Sequence, residues 1–239
     1  MQMVIETELQ RAGFAIVEDV YTDEEVSGIL SLLNAKGIEK KFGVRELLIA
    51  CPELKEKVFT EKLLNLVDSI SPACTTVVKA IYFDKPPSAN WIVNWHQDLT
   101  VNLKEKRETP NFKNWRVCAE RVAVQPSNEI LEHIFTTRIH LDDCTKESGA
   151  LRVVEGSHRN GVIQVRDWLQ GNERVEQICE VKAGGVLLMR PLTLHSSRRT
   201  ENKRNRRVIH LEFCDCELPN GLEWKEGLCF VERFSTKSG

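Results

Sequence analysis

The chain is poor in the features that mark several large classes of protein. Its 239 residues carry 33 basic and 35 acidic side chains, and the net charge of −2 predicts no general attraction to nucleic acid or to an anionic membrane. Apolar runs such as residues 185–189 are far too short to span a bilayer. The first ten residues contain Glu6 and Glu8 and lack an apolar centre, so they do not resemble a secretory signal. We therefore expect a cytoplasmic protein that binds neither a membrane nor nucleic acid.

The eight cysteines include no C-x-x-C pair and are too few for a disulfide scaffold. Cys214 and Cys216 would lie on one face of a strand, which leaves a zinc or redox role open. Buried, reduced thiols in a cytosolic protein are the preferred interpretation of the whole set.

Internal repeats, low-complexity tracts and Ser/Gly linkers are also absent, which predicts a single domain over residues 1–239. The part up to about residue 72 is expected to be helical after a short strand at residues 14–18. Thr22 and Glu25 predict a capping box for a helix that begins at Asp23 and ends near Gly37. Two further helices are predicted at the positions that follow: residues 44–50 and 60–70.

From about residue 73 to residue 215 the sequence changes to short runs rich in β-branched residues, separated by turn residues. The predicted strands are residues 76–83, 92–94, 100–103, 121–124, 134–141, 151–154, 175–181, 186–189, 194–197 and 207–213. Many short strands after a helical opening predict a mainly β fold, a cupin-like double-stranded β-helix (jelly roll) with the helices packed on one face.

Three segments place a histidine two positions before a carboxylate. They are His96 with Asp98, His140 with Asp142, and His210 with Glu212. The third pair cannot open a two-histidine site because no histidine follows position 210. The second pair lies where a strand runs into a turn, a common place for aspartates that accept bonds from backbone amides. His140 is better interpreted as a barrel-wall histidine with satisfied hydrogen bonds.

The first pair directly follows a predicted strand. On an extended segment His96 and Asp98 point the same way and can chelate one ion. His195 comes 99 residues after His96, which leaves room for the strands that bring the two edges of a jelly roll together. Two imidazoles and one carboxylate form the facial triad that holds Fe(II) and leaves the opposite face open, although manganese or another divalent ion would also fit. An exposed polar loop after the strand is the alternative interpretation.

Six basic residues lie between positions 198 and 207. No aromatic residue interleaves them, so stacking on nucleic-acid bases has no support. On the strand that follows, positions 209, 211 and 213 should pack against the outer layer, whereas positions 206, 208 and 210 should face the barrel interior. An arginine inside a barrel requires an anion, and Arg206 is therefore predicted to bind a carboxylate. Arg207 takes this role if the register of the strand is shifted by one.

These segments occur in an order that resembles one family. Residues 95–99 (WHQDL), residues 148–159 (SGALRVVEGSHR), His195 and Arg206 are similar to the phytanoyl-CoA dioxygenase family, and the resemblance extends over roughly residues 14–213. Members of this family are iron(II)- and 2-oxoglutarate-dependent oxygenases.

The resemblance implies both the fold and the function. It implies a double-stranded β-helix in which His96, Asp98 and His195 are the iron ligands. Arg206 would bind the distal carboxylate of 2-oxoglutarate, with help from Ser197. The implied reaction uses O2 to hydroxylate an aliphatic C–H bond of a small-molecule substrate, with release of succinate and CO2. Because Asp98 is present, the halogenating variants of the family, which lose this carboxylate, are disfavoured.

Two other functions remain open from the sequence. One is a non-catalytic jelly-roll module that binds a metal and a small acid, and the other is an oxygen-independent, cupin-like metalloenzyme. Trp91, Trp95 and residues 104–125 are candidates for shaping a substrate pocket, although a plain core role fits the two tryptophans equally well. The sequence indicates neither the prime substrate nor the oligomeric state.

Overall fold

The structure is a computed structural model that describes residues 2–39, 41–72, 75–86, 91–119, 121–171, 173–202 and 204–229. The helices are α1 (Gln2–Ala12), α2 (Asp23–Ala35), α3 (Leu47–Ala50), α4 (Leu54–Val58), α5 (Glu61–Ile70), α6 (Asn128–Glu132) and α7 (Val165–Gly171). The strands are β1 (Phe14–Val17), β2 (Gly43–Arg45), β3 (Thr76–Asp84), β4 (Val93–His96), β5 (Val101–Leu103), β6 (Lys113–Cys118), β7 (Arg121–Gln125), β8 (Ile134–His140), β9 (Leu151–Val154), β10 (Glu176–Cys179), β11 (Val186–Met189), β12 (His195–Ser197), β13 (Arg207–Cys214) and β14 (Leu228–Cys229).

Two antiparallel sheets form the jelly roll. The larger sheet has the strand order β1-β11-β8-β13-β3-β14, with β2 paired to β3 beside this path. The smaller sheet has the order β10-β9-β12-β4, and a third sheet of three strands has the order β5-β7-β6. Strands far apart in sequence are neighbours in both main sheets, as a double-stranded β-helix requires. The predicted mainly β fold with N-terminal helices is confirmed.

The helices cover the outer face of the larger sheet. Positions 209, 211 and 213 of β13 are fully buried in one cluster with Ile29 and Leu33 of α2 and Leu63 of α5. Each such side chain stabilises the fold by about 1.5–3 kcal/mol relative to an exposed position. Positions 206, 208 and 210 line a cavity on the opposite side of the strand. The alternation predicted for β13 is therefore confirmed.

The predicted capping box of α2 is present. The Glu25 amide donates to the Thr22 hydroxyl, and the Thr22 amide donates to the Glu25 carboxylate at 2.8 Å. Two amides that the helix itself leaves unpaired are satisfied in this way. The helix ends at Ala35, and Gly37 follows in the left-handed region at φ 64°.

The prediction of one helix over residues 44–50 is wrong. Residues 43–45 form β2, which pairs with β3, and only Leu47–Ala50 is helical. Glu46 lies between the two elements at φ 52°, outside the helical region. Pairing with the free edge of β3 therefore overrides the local helical preference. Helices α1, α4, α6 and α7 and strands β6 and β14 were not predicted. Among the described residues every helix is too short or too polar to cross a bilayer.

Candidate metal centre and its cavity

The two histidines of the predicted triad are direct neighbours. His96 ends β4, His195 begins β12, and the two residues are cross-strand partners in the smaller sheet. Their ring centroids lie 4.1 Å apart. Opposite residues of an antiparallel pair project their side chains to the same face, so this register brings together two imidazoles separated by 99 residues in sequence.

A bulge in β4 decides which side chains face the cavity. His195 pairs with His96, but Ser197 pairs with Val93, so β4 has one extra residue in this interval. Because the extra residue changes the alternation, both Val93 and His96 line the cavity. Trp95 lies against the guanidinium of Arg152, 5.2 Å from the ring centroid, and does not line the cavity.

Asp98 places its carboxylate between the two imidazoles. Its Oδ1 lies 3.8 Å from Nε2 of His96, and its Oδ2 lies 3.7 Å from Nε2 of His195. Each residue offers a ligand atom, and these atoms lie within 4.8 Å of one another. The distances exceed a hydrogen bond and leave room for one ion among the three groups.

Backbone carbonyls fix the tautomer of both histidines. Nδ1 of His96 lies 2.8 Å from the Asn94 carbonyl, and Nδ1 of His195 lies 2.8 Å from the Thr193 carbonyl. Since a carbonyl only accepts, each Nδ1 carries the proton, and each Nε2 turns a lone pair towards Asp98. This is the arrangement that metal-binding histidines adopt.

Electrostatics favour the protonation states that a metal needs. Burial lowers the pKa of His195 to about 4, so the imidazole is neutral at neutral pH. Burial raises the pKa of Asp98, but the positive charges that His195, His210 and His96 carry when they are protonated outweigh this effect and hold the pKa below its usual range. A carboxylate and two neutral imidazoles suit a divalent transition metal such as Fe(II).

Gln97, inside the motif, holds the loop in place, a role that the sequence did not reveal. Its side-chain amide donates to the carbonyls of Leu192 and Gly161 at 2.7 and 2.8 Å, and its carbonyl accepts from the Ile163 amide at 3.0 Å. The Asp98 amide donates to the Pro191 carbonyl at 2.9 Å. The loop that carries Asp98 is thus tied to the segment that precedes His195.

Arg206 and Ser197 line the same cavity as the three ligand residues. Both side chains are buried, and Arg206 donates from Nη1 to the Gly149 carbonyl. Among the described residues the Ser197 hydroxyl has no hydrogen-bond partner. A buried polar group without a partner destabilises the fold by about 1–3 kcal/mol, so a ligand oxygen at this position would be stabilising. A carboxylate fits both groups.

Position 149, near the start of the segment 148–159, requires a glycine. It adopts φ 72°, and a Cβ at this position would lie 2.5 Å from the Arg198 carbonyl oxygen. Only glycine tolerates both the conformation and the close approach. Its carbonyl is then directed at Arg206.

Arg207 points away from the cavity. Its guanidinium donates twice to the Asp142 carboxylate, at 2.8 and 2.6 Å, and its amide donates to the same carboxylate at 2.9 Å. Arg207 does not line the cavity, so nothing in its placement supports the fallback role. Asp142, fully engaged here, is not positioned to chelate an ion with His140.

His140 lies in the barrel wall, as expected, but its hydrogen bonds are not satisfied. The residue is buried, and among the described residues neither ring nitrogen has a partner. Burial, reinforced by Arg138 and Arg206, lowers the pKa of His140 to about 3. The expectation of a satisfied histidine is therefore wrong among the described residues: the charged groups that act on the imidazole are Arg138 and Arg206, and a guanidinium offers no acceptor to a ring N–H.

A buried charged network, which the sequence analysis missed, lies beside the triad. Lys79 of β3 donates to Glu212 of β13 at 2.7 Å and to the Thr100 carbonyl at 2.8 Å. Nε2 of His210 lies 3.2 Å from Glu212, and Arg138 donates to Nδ1 of His210 at 3.0 Å. Burial would raise the pKa of Glu212, but Lys79 and His210 keep it lowered and the carboxylate charged.

The network contains a second set of possible metal ligands, formed by Asp98, His210 and Glu212. In this set Glu212 is already paired with Lys79, and Arg138 donates to His210. In the set of His96, Asp98 and His195, both Nε2 lone pairs are available to a metal, so this set fits a metal ion better than the set with His210 and Glu212. Two features of the sequence point to the network. One is the set of interior-facing positions of β13, and the other is Lys79 within the otherwise apolar β3.

The cavity has a volume of about 390 Å³. Trp91 lines it, with the Lys85 ammonium 5.6 Å from its ring centroid. From residues 104–125, the proposed pocket-shaping segment, Arg116, Arg121 and Ala123 reach the cavity through the β6–β7 hairpin.

Among the described residues none of the seven cysteines forms a disulfide, and Cys74 lies outside those residues. Sγ of Cys214 lies 3.4 Å from Sγ of Cys216, so the two thiols are neighbours, but Cys216 lies beyond the end of β13 and the two do not share a strand face. The sets of possible metal ligands found among the described residues include no cysteine, which gives the zinc interpretation no support.

Solved structures of low sequence identity share this fold. The non-heme α-ketoglutarate-dependent carbocyclase SnoK from nogalamycin biosynthesis is 15% identical, with a TM-score of 0.70, and the match covers 94% of this chain and 86% of that one. The epimerase SnoN in complex with Fe3+, α-ketoglutarate and nogalamycin RO is 12% identical, with a TM-score of 0.69 and coverage of 92% and 91%. HygX from Streptomyces hygroscopicus, with nickel and 2-oxoglutarate bound, is 16% identical, with a TM-score of 0.60 and coverage of 89% and 85%.

No curated protein matches the sequence. The family model described as phytanoyl-CoA dioxygenase (PhyH) matches residues 9–208, which is most of the chain. The resemblance predicted from the motifs is confirmed, and the chain belongs to the phytanoyl-CoA dioxygenase family.

Proposed function

We propose that the protein is an Fe(II)- and 2-oxoglutarate-dependent oxygenase that hydroxylates an aliphatic C–H bond of a small molecule. The observation that carries the proposal is the convergence of three ligand groups, from His96, Asp98 and His195, in the cavity that also contains Arg206 and Ser197. The chemistry supplied by iron and 2-oxoglutarate when bound is oxygen-dependent C–H oxidation, with formation of succinate and CO2.

In this proposal His96, Asp98 and His195 hold the metal. The Asn94 and Thr193 carbonyls keep the proton on Nδ1 of each histidine, so both Nε2 atoms are ready to bind without reorganisation. The Asp98 carboxylate offsets part of the metal charge. The three side chains would hold the ion and leave further coordination positions open for other ligands.

Arg206 and Ser197 bind the distal carboxylate of 2-oxoglutarate. The guanidinium offers a planar pair of donors that match a carboxylate, and the free Ser197 hydroxyl adds a third donor. The Gly149 carbonyl holds Arg206 in place before the ligand arrives. A co-substrate held by these two residues would be oriented with its other end towards the triad, which lines the same cavity.

The buried network beside the metal excludes water. Glu212 bonds to Lys79 and to His210 rather than to solvent, and Arg138 donates to the other ring nitrogen of His210. Fixed dipoles and charges of this kind replace solvent around the reacting groups and limit unproductive oxidation.

The test is oxygen-dependent succinate formation. Purified protein supplied with Fe(II), 2-oxoglutarate, ascorbate and air should form succinate slowly even without a prime substrate, because ascorbate supplies the two electrons that the substrate C–H bond otherwise provides. His96→Ala and Asp98→Ala should lose this activity and keep the fold, measured by circular dichroism. His133→Ala is the matched control, because His133 is exposed and does not line the cavity, and it should retain the activity.

Retained succinate formation in both ligand variants would contradict the proposal. Binding of Fe(II) and 2-oxoglutarate without any turnover would instead support the non-catalytic module. Metal-dependent activity that needs neither O2 nor 2-oxoglutarate would support a cupin-like metalloenzyme of another class.

A further inference from the structure

The cavity concentrates positive charge in a protein whose net charge is −2. Seven arginine and lysine side chains line it, against the two carboxylates of Asp98 and Glu212. Lys79 is paired with Glu212. Asp98 belongs to the metal site, where the ion brings more positive charge than the carboxylate removes. Six cationic side chains are thus left without an acidic partner in the cavity lining.

Three of these cations form an inner group around the co-substrate position. Lys85 and Arg138 lie close enough to Arg206 that its charge contributes to lowering their pKa values, after burial as the main cause, to about 8 and about 10. Arg138 also leaves its Nε buried without a partner among the described residues. Bound 2-oxoglutarate carries two negative charges, so this inner group is sufficient to neutralise it.

The other three cations form an outer group: Arg45, Arg116 and Arg121. Arg45 comes from β2, beside β3, and the other two come from the β6–β7 hairpin. Arg45 and Arg116 are exposed and Arg121 is partly buried, which places the group on the solvent side of the cavity. Among the described residues none of the three guanidinium groups forms an ion pair or a side-chain hydrogen bond.

Register explains why the outer group converges. On β6 and β7 Arg116 pairs with Ala123, and Ala123 also pairs with Asn102 of β5. Arg121 lies two positions before Ala123 and shares its face. Arg45 pairs with Ile81, another residue that lines the cavity. Strand β2 and the β6–β7 hairpin therefore both direct guanidinium groups into the same cavity.

We propose that the substrate is a small organic molecule with a phosphate group, which Arg45, Arg116 and Arg121 bind while its carbon skeleton extends towards the metal. This inference rests on the proposed function, because it places the substrate beside the co-substrate of the same site. A carboxylate has one charge and two oxygens, which a single arginine satisfies, whereas a phosphate monoester offers a double charge and three oxygens to several guanidinium groups. The volume of about 390 Å³ lies near the lower end of ligand pockets and must also hold 2-oxoglutarate, so the substrate is small.

The experiment measures binding of three matched probes, phenyl phosphate, phenylacetate and benzyl alcohol, by isothermal titration calorimetry. Each probe is titrated into the metal-free protein and, under nitrogen, into protein loaded with Fe(II) and 2-oxoglutarate. Phenyl phosphate should bind in both states, and at least about tenfold more tightly than phenylacetate. Its affinity should decrease with added NaCl, and benzyl alcohol should not bind measurably.

Variants locate the probe. Arg116→Gln/Arg121→Gln should weaken phenyl phosphate binding at least about tenfold and leave the affinity for 2-oxoglutarate unchanged. Lys113→Gln is the control, because Lys113 is an exposed cation of the same hairpin that does not line the cavity, and it should bind phenyl phosphate like the wild type.

Equal binding of phenyl phosphate and phenylacetate would overturn the proposal, as would unchanged affinity in the double variant. So would loss of phenyl phosphate binding in Arg206→Gln alone, since the probe would then occupy the co-substrate position. Coenzyme A binding much more tightly than phenyl phosphate would overturn the small-molecule assignment in favour of a large phosphate-bearing carrier. If phenyl phosphate binds as expected but Fe(II) and 2-oxoglutarate do not, the proposed function fails while the anion site stands.

Discussion

His96 and His195 are cross-strand partners whose ring centroids lie 4.1 Å apart. The pairing of β4 with β12 therefore builds the candidate metal centre, and a shift of one residue would turn one imidazole to the opposite face. The tautomer of each ring is set by a carbonyl of its own strand segment. The placement and the tautomer of both imidazoles are thus set by the backbone.

Arg206 should control the affinity for 2-oxoglutarate. Arg206→Gln removes the charge and the paired donors, so the KM for 2-oxoglutarate should rise at least about tenfold with a smaller change in kcat. Arg207→Gln is the matched control, because its ion pair with Asp142 lies outside the cavity lining. It should reduce stability and leave this KM unchanged. An increase in KM for Arg207→Gln alone would reverse the assignment.

Gly149→Ala should destabilise the fold by about 1–3 kcal/mol, because alanine is strained at a positive φ and its Cβ would meet the Arg198 carbonyl oxygen. The measurement is urea unfolding followed by circular dichroism. Gly171→Ala is the control, since nothing lies within 4 Å of the added Cβ and φ is not in the positive range. Equal stability of the two variants would show that the backbone conformation at position 149 and its contact with the Arg198 carbonyl do not require glycine.

The buried pair of Lys79 and Glu212 should behave as a coupled unit. Lys79→Met leaves Glu212 charged and buried with less compensation and should lower the free energy of unfolding by about 3–5 kcal/mol. The double variant Lys79→Met/Glu212→Leu should recover much of this loss, because it removes both charges. A double-mutant cycle from urea unfolding measures the coupling. Additive losses would contradict the pairing at 2.7 Å.

His140 should make the metal-free protein sensitive to acid. Its pKa is about 3 when folded and about 6.5 when unfolded, so between these values the unfolded chain binds more protons. The stability contribution is complete above about pH 6.5 and is lost progressively as the pH falls towards 3. His140→Leu should therefore flatten the decrease in unfolding free energy between pH 6.5 and pH 4.

His133 supplies the control for this pH dependence. Its hydrogen bond to Asp215 raises its pKa, so it stabilises the fold at low pH and this contribution is lost as the pH rises. His133→Gln should make the acid loss slightly steeper, opposite to His140→Leu. Identical pH profiles for wild type and His140→Leu would show that the buried imidazole is not neutral in the folded state.

Local sequence signals predicted much of the fold. The capping box of α2 depends only on Thr22 and Glu25, and the alternation along β13 follows from the extended backbone, so both were predictable from residues near each other in sequence. The ordered motifs were also sufficient to identify the family, because each contains residues whose spacing the fold constrains.

Non-local pairing explains what the sequence did not predict. Residues 43–45 became a strand because the edge of β3 was available, and this pairing brings Arg45 to the cavity. The bulge in β4 places His96 and Val93 on one side, contrary to simple alternation. The Lys79–Glu212 pair joins positions 133 residues apart, so no local pattern indicates it.

The central claim is that one Fe(II) ion binds to His96, Asp98 and His195. The most direct measurement is anomalous diffraction at the iron edge from crystals soaked under nitrogen with Fe(II) and 2-oxoglutarate. We predict a single strong peak within bonding distance of both Nε2 atoms and the Asp98 carboxylate, with the distal carboxylate of 2-oxoglutarate on Arg206. A peak among Asp98, His210 and Glu212 instead, or no peak in the cavity, would contradict the account.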